Sequence, residues 1–120
     1  MINLSIVSLV ANKVSSWLDL RRDIRLRAID GLTPAVAATV RYCERLKAGA
    51  RKDLVVEDQI HDLWVAASSR VVEFDKQLAQ DCMAKAKYWL FSENYTDGKI
   101  DELNIRLIRM QAELETMKYQ

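Results

Sequence analysis

The sequence predicts an all-α fold: an antiparallel bundle of about four helices with one long central helix over about 55–92. Three observations lead there. The 120 residues hold only three glycines and one proline, too few for the many tight turns of an all-β chain. Half of the residues are hydrophobic and 29% are charged, the balance of a globule with a core and not of a disordered chain. The apolar residues also recur at steps of three and four, the period of a helix face. A chain of this length suits one core, so a single helical domain over 1–120 is expected.

The first helix is expected over about 3–29. Val7, Val10, Val14, Trp17, Ile24 and Ala28 form its apolar stripe, and serines, Asn12 and Asp19 occupy the other side. Gly31 reads as a break after it. The second helix is expected over about 34–48, with Thr33 as cap and Pro34 in the first helical position. Val36, Val40, Cys43 and Leu46 form its stripe, and Gly49 ends it.

The third is the long helix. Ile60, Trp64, Ala67, Val71, Phe74 and Leu78 alternate steps of four and three. Cys82, Ala86 and Trp89 continue after a shift in that rhythm, which resembles a stutter. No Gly or Pro interrupts the span. The fourth helix is expected over about 97–118, capped by Thr96 or Asp97. Its stripe is Ile100, Leu103, Leu107, Met110, Leu114 and Met117. The charges agree with these ends: Arg45 and Lys47 close the second helix, and Glu57, Asp58, Asp101 and Glu102 open the third and fourth.

Several kinds of chemistry lack their residues. No GxGxxG or GxxxxGK[ST] run is present to cradle phosphate. His61 is the only histidine, so neither a two-histidine bundle metal site nor an ordinary zinc site can be assembled. His61 therefore reads as a surface side chain among acids that suit a helix start. No G-x-S-x-G elbow accompanies it, and Ser68 and Ser69 read as helix serines bonded to the preceding turn. Cys43 and Cys82 match no metal or redox spacing and read as small buried hydrophobes. No catalytic residue, metal or cofactor is expected, and the protein reads as a non-enzyme.

Charge is unevenly divided. Residues 1–52 carry ten Lys and Arg against four Asp and Glu, and residues 53–120 carry eight against thirteen. The halves either neutralise each other or present a partner surface. The first expectation for function is a small helical interaction protein acting through helix–helix packing, with a protein partner or a second copy. Its candidate contacts are Trp64, Tyr88, Trp89, Ile105 and Ile108. The two isoleucines lie off the main stripe of the fourth helix, and the aromatics resemble binding anchors.

Two alternatives follow from the first half of the chain. Arg21, Arg25, Arg41 and Arg45 form pairs at helical spacing that suit nucleic-acid phosphates. The amphipathic N-terminal helix suits a membrane surface, with Trp17 at the interface. The opening INLSIVSLVA has no basic segment before it, so it does not read as a signal peptide. It is also too short to span a bilayer, and a cytoplasmic setting with reduced cysteines is expected.

Overall fold

The protein is all-α, and four helices pack as an antiparallel bundle. A computed structural model describes the backbone of residues 4–90 and 97–119, and the surroundings of side chains at 21–90, 98–116, 118 and 119. The helices are α1 (Leu4–Lys47), α2 (Leu54–Val71), α3 (Lys76–Leu90) and α4 (Asp97–Lys118). Each packs on its neighbours in the chain, and α4 closes the ring against α1, so α1 lies diagonal to α3 and α2 to α4. The chain measures 74 × 24 × 23 Å. The short dimensions suit two helices by two, and the 44 residues of α1 reach about 66 Å.

The number of helices agrees with the sequence reading, but two boundaries move. The expected first and second helices are one helix. Gly31 does not end it. A Cβ placed there would stand 2.8 Å from Cβ of Arg70 and 3.0 Å from its Cδ. Gly31 is thus a notch on α1 that lets α2 approach closely. Pro34 lies inside the same helix, on its exposed side. It removes one backbone bond, that to the carbonyl of Asp30, and Asp30 is itself exposed. Thr33, expected as a cap, is inside the helix too.

The expected helix over 55–92 is broken at residues 72–75. The carbonyl of Val71 accepts from both Phe74 N and Asp75 N at 2.9 Å, which tightens the last turn of α2. Asp75 then caps α3: its Oδ1 accepts from Leu78 N at 3.0 Å, an N-cap bond worth about 1 kcal/mol. Phe74 packs against the core from within the turn. Ser68 Oγ donates to the carbonyl of Ala79 at 2.8 Å and holds α3 back against α2.

The end at Gly49 agrees with expectation, and Thr96, offered as a cap of the fourth helix, lies outside the described residues. Ala50 N donates to Arg45 O at 2.9 Å and Gly49 N to Leu46 O at 3.1 Å, the bond pair of a Schellman ending. Gly49 has φ +96°, which glycine adopts without a Cβ penalty. Asp53 caps α2, its carboxylate accepting from Val55 N and Val56 N.

The core is built from Ala28, Leu32 and Ala35 on α1, Ile60, Trp64 and Val71 on α2, Leu78 on α3, and Leu103, Leu107 and Leu114 on α4. Most of the α4 stripe is therefore covered within the chain: Leu103, Leu107 and Leu114 are buried, and Ile100 and Met110 are half-buried. Met117 lies outside the described side chains. On α1 the buried face differs from the expected stripe. Thr39 and Tyr42 enter the core, while Val40 and Leu46 turn outward.

Candidate functional site

Four polar or charged side chains are buried among the described residues, and each reaches across to a neighbouring helix. Trp64 Nε1 on α2 donates to Thr39 Oγ1 on α1 at 2.8 Å, and Thr39 donates to Ala35 O at 2.8 Å. Tyr42 on α1 donates to Glu57 Oε2 on α2 at 2.5 Å. Arg106 on α4 donates to Asp81 Oδ1 on α3 at 2.9 Å. Lys85 on α3 donates to Asn104 Oδ1 on α4. A buried polar group is costly unless paired, so these bonds fix the register of two helix pairs, α1 with α2 and α3 with α4.

The charged members differ in their company. Glu57 also has Lys52 Nζ at 3.6 Å. Asp81 also accepts from Gln77 Nε2 at 3.2 Å. Lys85 is only 3% exposed, yet no carboxylate among the described residues lies within ion-pair distance of it. Its amine sits 5.0 Å from the Tyr88 ring centre and 5.8 Å from that of Trp89. Burial pushes its pKa below the ordinary lysine value, and the nearby Cys43 sulfur works against that shift.

Lys85 and Asn104 line a half-open cavity of about 440 Å³ between α1 and α4. Trp64, Leu107, Val36, Thr39 and Cys43 form the inner wall, and Val40, Ile108, Glu44, Lys47 and Asp101 lie towards solvent. The size is that of a small-molecule pocket, and its lining mixes apolar side chains with a few convergent polar ones. Val40 is 49% exposed and Ile108 53%. Ile105, one turn along α4, is also 53% exposed.

The sequence-predicted partner contacts separate here. Trp64 is a core residue, not a surface anchor: it is 1% exposed, because Thr39 satisfies its indole N–H inside the bundle. Tyr88 and Trp89 are half-buried. Trp89 packs edge-on between Tyr42, at 5.8 Å, and Tyr88, at 5.2 Å. Its Nε1 is buried and meets no acceptor among the described residues. Phe91 and Tyr95, the aromatics that follow them in the sequence, lie outside the described residues. Only Ile105 and Ile108 stand open to solvent as expected.

The four arginines do not form one ridge. They all lie on α1, and Arg25 and Arg41 are 16 positions apart, about 24 Å along a straight helix and about 160° around it. Arg21, Arg41 and Arg45 are exposed and Arg25 is half-buried. Between described residues of the basic and acidic halves, ion pairs form at Arg27–Glu73, 3.2 Å, and Lys52–Glu57, 3.6 Å. Among the described residues, mutual neutralisation of the halves is seen at these two pairs.

His61 is partly exposed, with Nδ1 3.0 Å from Asp62 Oδ1. Glu57, read as an acid that suits the helix start, is buried against Tyr42. No group of three or more His, Cys, Asp and Glu is placed to hold a metal among the described residues. Cys82 is buried, as its spacing suggested, and Cys43 is half-buried in the cavity wall. Burial, with the Asp81 charge beside it, pushes the Cys82 thiol up to about 12. No described helix is long and apolar enough to cross a membrane. The side chains of residues 1–20, on which a membrane-surface role would rest, lie outside the described ones.

The sequence reading missed Lys85, Thr39 and Tyr42. A signal for Lys85 exists: it lies three residues after Cys82 and four before Trp89, on the buried side of α3. The fold and site together define an antiparallel four-helix bundle with a half-open cavity between its first and last helices. No family model matches this sequence, and comparison with curated proteins and with solved structures finds no match.

Proposed function

We propose that this protein is a small non-catalytic interaction protein that works by helix–helix packing, and that its working face is the α1–α4 face. One observation carries the reading: Val40, Ile105 and Ile108 are large apolar side chains exposed in mid-helix. The other large exposed apolar residues, Leu54, Val55, Val72, Leu90 and Tyr119 at the ends of helices and Leu46 in the last turn of α1, lie where fraying and chain direction account for them. Val40 and Ile108 border the same cavity, and Ile105 is an i−3 neighbour of Ile108, so the three form one patch. A contiguous patch of this kind marks an interaction surface.

A second copy of the chain is the simplest occupant. Two α4 helices related by a two-fold axis would lay Ile105 and Ile108 against their own equivalents, an isologous contact. Light scattering at moderate and high salt tests this. An apolar interface gives twice the 13.8 kDa chain mass at both salts. A mass that falls to one chain at high salt would point instead to the arginines and acids.

A further inference from the structure

Among the described residues Lys85 is the one buried charge without an opposite charge beside it. Glu57 has Lys52, and Asp81 has Arg106. A buried ammonium is costly unless an anion and further hydrogen bonds compensate it. Asn104 supplies one acceptor, and the faces of Tyr88 and Trp89 supply weaker attraction. An ammonium has three donors. An anion would complete this set, and the place open to one is the cavity that Lys85 and Asn104 line together.

The rest of that cavity selects the anion. Val36, Val40, Leu107 and Ile108 give it an apolar wall and mouth. A free inorganic anion would leave that wall unfilled. A molecule with an apolar body and one anionic end meets both demands: its head reaches Lys85 and its body covers the apolar wall.

We propose that the α1–α4 cavity binds a small amphiphilic carboxylate, with the carboxylate on Lys85 and the apolar body between Val40 and Ile108. The head accepts from the Lys85 ammonium and from the amide N–H of Asn104, whose Oδ1 already accepts from the lysine. Glu44 and Asp101 stand at the mouth with Lys47, which lies 3.7 Å from Glu44. All three are exposed. The proposal rests on the same apolar face, since Val40 and Ile108 belong to both, whereas Ile105 does not line the cavity.

Decanoate and decan-1-ol are the probes, titrated into the full chain and followed by calorimetry and by the methyl signals of Val36, Val40 and Ile108. Decanoate should saturate and shift those methyls, binding about tenfold or more tighter than the alcohol, the gain of one charge-assisted hydrogen bond. Lys85→Met should remove that advantage and leave the alcohol unaffected. Ile108→Trp, which narrows the mouth from an exposed position, should abolish decanoate binding while the helical circular dichroism persists. Ile105→Asp should keep decanoate binding whatever its effect on solution mass. Equal binding of acid and alcohol to the natural sequence overturns the proposal, as does full decanoate affinity in folded Lys85→Met or Ile108→Trp. If Lys85→Met does not fold, the comparison of acid with alcohol and the Ile108→Trp variant still decide.

Discussion

Tyr42 on α1 donates to Glu57 on α2 across 2.5 Å, and the same phenolic oxygen accepts from Asp53 N at 2.9 Å. One hydroxyl thus ties the end of the longest helix to both the cap and the first turn of the next. Tyr42→Phe removes the donor and acceptor while keeping the ring against Trp89. It leaves a buried carboxylate with Lys52 alone and an amide without its acceptor. A loss of about 2 kcal/mol is expected, read as a lower urea midpoint with an unchanged slope.

Gly31 and Gly98 are both helical, and they should respond in opposite ways to alanine. At Gly98 nothing among the described residues lies within 4 Å of an added Cβ, so Gly98→Ala should add about 0.5 kcal/mol through helix propensity. At Gly31 the added Cβ meets the Cβ of Arg70, which the α2 backbone holds in place. Gly31→Ala should therefore destabilise by about 1–2 kcal/mol despite its better propensity. Trimming Arg70 to Ala should not rescue it, since that Cβ remains. Thermal denaturation of the three variants checks the signs.

Alkaline pH should destabilise the bundle through Cys82. Unfolded, the thiol loses its proton near the ordinary value of 9.0, and folded it keeps it up to about 12. Between those values the unfolded state binds fewer protons, so stability falls as pH rises. Tyr42 adds the same sign from about pH 10, because burial and then its bond to Glu57 raise its pKa. Lys85 has the opposite sign: its pKa is lowered from 10.5 in the folded chain, so stability rises with pH until the unfolded lysine is also neutral. Cys82→Ala should flatten the fall that begins above pH 9, and Lys85→Met should steepen it. Urea titrations from pH 7 to 10.5 separate the two.

Lys85→Met also tests whether the amine lacks a counter-charge. Replacing an uncompensated buried cation by an apolar side chain of similar length should leave the ligand-free protein as stable at pH 7, or more stable by about 1 kcal/mol. A loss of about 3 kcal/mol or more would instead reveal an anion already paired with it.

The helical periods, the ending at Gly49 and the α4 stripe could be read from sequence because local chemistry decides them. Gly31 and Pro34 could not. They resemble punctuation, but one serves close packing with Arg70 and the other costs a single bond on an exposed face. The turn at 72–75 carries no Gly or Pro. It depends on the Asp75 cap and on the Ser68–Ala79 bond, which exists only once α3 folds back.

The site divides the same way. Ile105 and Ile108 announce themselves by lying off the stripe. Val40 does not, because it fits a stripe whose core places are taken by Thr39 and Tyr42. Those two enter the core only because Trp64 and Glu57 satisfy them there, and neither partner is visible from α1 alone.

The central claim is that Val40, Ile105 and Ile108 form a working apolar face. Sedimentation equilibrium of the natural chain beside Ile105→Asp/Ile108→Asp tests it most directly. The account predicts a two-chain mass for the natural sequence, and a single folded chain of 13.8 kDa for the double variant. A natural chain that stays monomeric, or a double variant that stays dimeric, would contradict it.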